Sequence, residues 1–203
     1  MNKARIEAFS DGIFAFAATL LVLAFVSPEV SHTAAVDSQL VTALLAQWPH
    51  LFAYVLSFSV IGMMWHNHHA LFRLVTKVDR RAGLANLALM AVTAFIPFAT
   101  SVLGAYPDTR SSTVLYGLTL TSSAIAFNWL LMHLVNTKSF AAHVNRSTIN
   151  QTIHAYRVGL STYVIATFAS LVEPLAGLAL YILIVGYFLI PRGADTDFVE
   201  KSD

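Results

Sequence analysis

The chain has no cysteine among its 203 residues. That excludes disulfides, thiolate-held metals and cysteine nucleophiles. Charge is almost as scarce. Asp, Glu, Lys and Arg make up 11% of the residues, against roughly 25% in an ordinary soluble domain. The net charge of +1 gives no electrostatic footprint for nucleic acid, so no such partner is expected. No Gly-x-Ser-x-Gly elbow occurs, no carboxylate stands at zincin spacing from the histidines, and no enzyme activity is expected. What fills the chain is apolar: 57% of residues are hydrophobic, with a mean hydropathy of +0.66. A soluble domain of this length has too little interior to hide that much apolar surface. The solvent for most of the chain is therefore a lipid bilayer.

A membrane-spanning helix needs about 20 mostly apolar residues. Six segments qualify, near 5–26, 48–73, 83–105, 112–135, 157–173 and 174–190. The first carries an uninterrupted apolar run from Ile13 to Val26 and stops at Ser27-Pro28. Lys3 and Arg5 before an apolar run resemble a signal peptide, but Glu7 and Asp11 interrupt the basic region. The segment is kept as a span. A polar connection at 29–46 leads into a short amphipathic stretch, Leu40 to Trp48. Pro97 lies inside the third span, where it frees the Thr93 carbonyl and predicts a kink. Glu173-Pro174 predicts a tight turn between the last two spans. The expected fold class is all-α, a multi-pass membrane protein with six transmembrane helices. Residues 1–190 form the transmembrane domain and 191–203 a polar cytoplasmic tail.

Charge placement orients these spans. Lys and Arg favour cytoplasmic loops. Of the 12 Lys and Arg residues, all but Arg110 fall on one side of the six-span map. A missed or extra span would scramble that asymmetry. Both termini and the 2–3 and 4–5 loops are therefore expected in the cytoplasm. The outer connections carry Glu29, Asp37, Asp108 and Glu173. Asn145 and Asn150 fit glycosylation acceptor patterns, but they fall in a cytoplasmic loop.

Polar groups at membrane depth are the functional candidates. Arg5, Glu7 and Asp11 lie at the cytoplasmic end of the first span. The second carries Trp65-His66-Asn67-His68-His69, the third Asn86, and the fourth Asn128 and His133. One reading is a hydrogen-bonded cluster that ties helices together. Another is a metal or haem held by imidazole, for which His66 and His69 share a helix face. Thr113-Val114-Leu115-Tyr116-Gly117 superficially matches a potassium-filter loop. Leu115 stands where the central glycine belongs, and the stretch opens a long apolar helix whose carbonyls are already bonded.

The first span is unlike the others. Arg5-Ile6-Glu7-Ala8-Phe9-Ser10-Asp11-Gly12 places a base, two acids and a hydroxyl in two helical turns. Beyond it, Phe16, Leu20 and Leu23 fall at i, i+4 and i+7, on one helix face. Periodicity alone fits a lipid-facing or core stripe equally well. The segment Arg-x-x-x-Phe-Ser-Asp-Gly at 5–12 resembles the signature of the transmembrane protein 175 family, potassium channels of lysosomes and prokaryotes. Trp65-x-x-His68-His69-x-x-Phe72 resembles the family's second-helix motif. The stretch from Asn86-Leu87 through Phe95-Ile96-Pro97-Phe98-Ala99-Thr100 to Tyr106 resembles its third helix. The last three helices match mainly in length and topology.

The resemblance implies a single six-helix unit that forms a homotetramer in a prokaryotic cell membrane, with first helices around a central pore. It implies a leak-type, potassium-preferring channel with K+ as permeant ion and no cofactor. Carried over by position, the apolar constriction comprises Phe16, Leu20 and Leu23, and Thr19 matches a position associated with selectivity. The family usually has an aliphatic residue where this chain has Phe16, so the ring either narrows the pore or turns away and leaves Leu20 and Leu23 as the gate. Arg5, Ser10 and Asp11 are expected to hydrogen-bond with Trp65 and with His68 or His69, which fixes the tilt of the pore helix. Two alternatives differ in kind: a secondary ion or proton transporter, which saturable coupled uptake would reveal, and a His-ligated haem or metal protein, which an absorbance spectrum would reveal.

Overall fold

The computed structural model describes residues 2–29 and 36–188. Helices α1 (Lys3–Leu20), α2 (Val36–Leu45), α3 (Trp48–Leu74), α4 (Arg80–Thr93), α5 (Ile96–Ala105), α6 (Arg110–Asn136), α7 (Arg146–Val172) and α8 (Pro174–Phe188) follow one another, and a 3-10 turn, Leu21–Ala24, continues α1. Among the described residues there is no strand beyond one isolated bridge between Val75 and Phe140. The fold is an all-α, multi-pass membrane protein. Among the described residues, five segments are long and apolar enough to cross a bilayer: Lys3–Ala24, Trp48–Leu74, Arg80–Ala105, Arg110–Asn136 and Arg146–Val172. The sixth, α8, is described only to Phe188, which at 1.5 Å per residue is about 22 Å of helix against a hydrocarbon core of about 30 Å. The tail expected at 191–203 lies outside the described residues.

The third span breaks between α4 and α5. Ala94 N–H bonds the Met90 carbonyl and Phe95 N–H the Val92 carbonyl, and α5 begins at Ile96 with Pro97 in its first turn. Proline suits that position because a first-turn N–H has no helical partner. The fifth span differs from expectation in its start. Its helix begins at Arg146, not near 157. Asn150, Gln151, His154 and Arg157 are compatible with a helix, but their polarity masks it from a hydropathy reading.

Packing is ordered by neighbours along the chain. The α6–α7 and α7–α8 pairs make the broadest contacts, α3 packs on α5, and α6 packs on α4 and α5. Helix α1 lies against α3, α4 and α5 at one edge of the bundle. Hydroxyls tie the core where lipid offers no hydrogen bonds. Ser57 and Tyr116 are 3.0 Å apart, Thr100 donates to Ser57 at 2.7 Å, and Tyr181 stands edge-on to Tyr116. Glycine gives α8 its close approach to α7: a Cβ at Gly177 would meet the Ser170 side chain and stand 3.0 Å from the Ala166 carbonyl.

One end of the bundle is clamped. Thr76 N–H bonds the Ser139 carbonyl and Ala141 N–H the Leu74 carbonyl, both at 2.9 Å. Ser139 is placed by a helix cap: its N–H returns to the Leu134 carbonyl, with Lys138 in the left-handed region at φ 51°. Asp79 caps α4 through Ala82 N–H at 2.8 Å and also takes His133 Nε2 at 2.9 Å. The Ala82 N–H lowers the Asp79 pKa first, and the His133 contact lowers it further.

Gly177→Leu should lower the melting temperature in detergent by several degrees, while Gly186→Leu, where a Cβ meets nothing within 4 Å, should be near neutral. Because the folded Asp79 has the lower pKa, its ionised form stabilises the fold above the ordinary carboxylate range, and that contribution fades as acid protonates it. The stability gap between wild type and Asp79→Ala should therefore be widest near neutral pH and shrink on acidification, as read by thermal unfolding across pH.

Candidate functional site

The two faces of α1 have different environments. Ile6, Ser10, Phe14, Ala17 and Leu21 recur at helical spacing and are buried. Phe9, Phe16, Val22, Leu23 and Val26 are exposed, Phe16 at 61% and Leu23 at 71%. Thr19 is exposed and donates to its own Phe16 carbonyl at 2.8 Å. Leu20 is half-buried. The 3-10 turn changes the geometry beyond it. In 3-10 winding, residues i and i+3 eclipse and rise about 6 Å, so Leu23 is brought nearly in line above Leu20.

The helix is held by polar bonds in its N-terminal half. Trp65 Nε1–H donates to Asp11 Oδ1 at 2.9 Å. Asn86 Nδ2–H donates to Ser10 Oγ at 2.9 Å, and Ser10 passes its own hydrogen to the Ile6 carbonyl. His68 Nε2 meets Asn86 Oδ1 at 2.8 Å. A carbonyl oxygen can only accept, so the proton is on Nε2. The chain Ser10–Asn86–His68 thus joins α1, α4 and α3. His68 is 1% exposed and enclosed by aromatic rings: Phe72 stacked at 4.3 Å, Phe14 edge-on at 5.5 Å and Phe127 edge-on at 6.3 Å.

The two sequence-nominated histidines therefore have different settings. His68 joins the Ser10 branch through an amide. His69 stacks on Trp65 with centroids 6.0 Å apart. Arg5 is not brought in. Among the described residues no hydrogen bond or ion pair links it to the cluster, and it borders a surface cleft with Asn2, Phe9 and Leu87. Asn86 is the hub that sequence reasoning left out of the network. Its signal was a lone amide in an apolar span. Among the described residues no three His, Cys, Asp or Glu side chains converge as a metal site, and His133 is engaged with Asp79.

An apolar helical bundle whose first helix is pinned on one face and bare on the other defines a membrane protein organised around that helix. Residues 5–97 match the family described as Endosomal/lysosomal potassium channel TMEM175. The chain is 34% identical over 194 residues to a potassium channel of Chamaesiphon minutus, covering 94% of this chain and 95% of that one. It is 44% identical over 142 residues to a potassium channel of Streptomyces collinus, covering 68% and 67%. The crystal structure of a lysosomal potassium-selective channel TMEM175 homolog from Chamaesiphon minutus superposes with a TM-score of 0.82 at 33% identity, over 92% of this chain and 96% of that one. This chain belongs to the TMEM175 family, which comprises ion channels and not enzymes.

Removing the hub should cost more than removing the outer bond. Asn86→Leu strands the buried His68 N–H, a loss of about 1–3 kcal/mol. Trp65 is 44% exposed, so Trp65→Phe should cost about 0.5–1 kcal/mol. Thermal unfolding of the two variants in one detergent should rank them in that order.

Proposed function

We propose that the chain is a passive, potassium-preferring channel of a prokaryotic cell membrane. Four copies assemble with their first helices around a central pore and both termini in the cytoplasm. The observation that carries this reading is the bare apolar face of α1, where Phe16 and Leu23 are exposed opposite a face fixed by Asp11–Trp65 and Ser10–Asn86 bonds. A helix held in that way presents a set row of side chains to whatever stands before it. The relatives of Chamaesiphon minutus and Streptomyces collinus, both potassium channels, supply the ion.

Phe16, Leu20 and Leu23 then form an apolar constriction that gives an ion no ligands. A cation crosses it by keeping part of its water and shedding the rest, and such a ring closes by dewetting. Potassium releases water more readily than sodium, so the ring favours potassium without a carbonyl cage. Thr19 donates its hydrogen to the Phe16 carbonyl, which leaves the lone pairs of its oxygen free. Its oxygen remains available to water. Small residues Ala8, Gly12 and Ala15 on the exposed part of α1 allow four helices to approach closely. Ser10, Asp11, Trp65 and His68, with His69 stacked on Trp65, support the helix and touch no ion, and Arg5 stands outside the bonded group.

A transporter reading has one feature to explain, the broken third span. Broken helices serve transporters when they present groups to a midplane site. Here no charged residue occurs between Arg81 and Asp108.

Proteoliposomes loaded with K+ should show a passive efflux that exceeds Na+ efflux and does not saturate. Leu20→Ala and Leu23→Ala should each raise flux several-fold and narrow the K+ to Na+ ratio. Flux unchanged in Phe16→Ala, Leu20→Ala and Leu23→Ala alike would remove the pore from α1. Native mass measurement should give four chains.

A further inference from the structure

A second feature lies away from the pore helix, between α3, α6, α7 and α8. A cavity of about 50 Å³ is lined there mostly by apolar side chains, among them Met63, Leu120, Phe127 and Leu160. That is several times the ~10–15 Å³ a single water needs. Small residues Ser123, Ala124 and Gly159 leave the space, and Phe188 covers Gly159 so closely that a Cβ there would stand 2.9 Å from its ring. Met63, Ala124 and Leu160 are only half-buried, which gives the cavity a mouth on the bundle surface.

Two polar side chains face this cavity without partners. Asn67 is 7% exposed and Tyr163 is 6% exposed. The Asn67 carbonyl takes the Tyr156 hydroxyl at 3.2 Å, but among the described residues its side-chain amide has no hydrogen bond. The Tyr163 hydroxyl has none either. Other polar groups nearby are engaged: Ser123 donates to Thr119, and Asn128 donates to the Ala124 and Tyr156 carbonyls. Each unsatisfied group at membrane depth is costly, because lipid supplies no hydrogen bonds. Tyr163 follows Tyr156, the partner of Asn67, by seven residues of α7. That spacing is a rise of about 10 Å along α7.

We propose that this cavity binds a small neutral amphiphile of the phenol or alcohol class, entering from the bilayer with its hydroxyl on the Asn67 amide. The lining contains no Arg, Lys, His, Asp or Glu. A carboxylate or ammonium head would be buried without a counter-charge, which excludes fatty acids. A neutral hydroxyl both donates and accepts, and an amide offers both in return. The apolar walls take the ring or chain. Water alone fits less well, since a buried water needs two to four polar partners and the walls between the two ends supply few. The occupied cavity would bear on α3 one residue from His68, so the ligand shares a helix with the pins of α1.

The test uses the full-length protein in proteoliposomes and a photoreactive diazirine-bearing alkylphenol, with adducts mapped by mass spectrometry. Adducts should concentrate on α3, α6 and α7 around the cavity, and excess parent phenol should suppress them. Ala124→Phe, which fills the space, should reduce labelling at least tenfold. Asn67→Leu keeps the branched shape and removes the amide, and should raise the phenol concentration needed for suppression several-fold, so the result does not hang on one variant folding. A photoreactive fatty acid should label the same residues poorly. Adducts spread over all bilayer-facing surfaces, or undiminished in both variants, would overturn the proposal. So would a phenol-soaked crystal with only water in the cavity. Because labelling reads binding without ion flux, its failure is distinct from failure of the pore.

Discussion

The bonds from Ser10 and Asp11 into the neighbouring helices are the constraint on which the arrangement of α1 depends. In water, burying Ile6, Phe14 and Leu21 would itself fix the helix. In a bilayer it does not, because lipid tails solvate those side chains about as well as protein does. What lipid cannot replace is a partner for the Asn86 amide or the Trp65 N–H. Rotating α1 by one residue, about 100°, would break both bonds at once. The bare face is therefore defined by polar chemistry on the opposite side.

His68 shows how that chemistry is made durable. A histidine beside bulk water exchanges partners, whereas here aromatic rings close around the imidazole and leave Asn86 as its hydrogen-bond partner. Trp65 and Asp11 form a more exposed bond nearby. The pin is thus graded, with a dry inner link and a wetter outer one. The same economy of hydroxyls and amides recurs through the core, where Ser57, Thr100 and Tyr116 join α3, α5 and α6.

Much of this was legible in the sequence because bilayer chemistry is strict. Apolar runs located the spans, and Pro97 marked the discontinuity of the third. Polar residues at depth pointed to Arg5, Asp11, Trp65 and the histidines, leaving His68 or His69 open, and the first-helix motif added Ser10 and pointed to the family. The misses have physical causes. The first turns of α7 are helical but polar, so hydropathy could not separate them from loop. Asn86 was visible as an odd residue, but a hub is a matter of three helices meeting, which no linear spacing encodes. Arg5 belonged to the motif and lines a cleft with Asn86, yet among the described residues no hydrogen bond or ion pair joins it to the cluster. The Asn67–Tyr163 cavity arises from small residues on α6 and α7 and could only be seen after packing.

The bonds between Thr76 and Ser139 and between Leu74 and Ala141 have a mechanical meaning. They join the loop after α3 to the loop after α6, and Asp79 with His133 adds a cross-link between α4 and α6. Two halves of a bundle stapled at one end resist sliding past each other along the membrane normal. Helix α1 precedes every one of these staples and is held only through its own side chains. The anchors of α1, Trp65 and Asn86, stand on helices of that stapled frame, so the orientation of α1 is referred to parts that keep their own register.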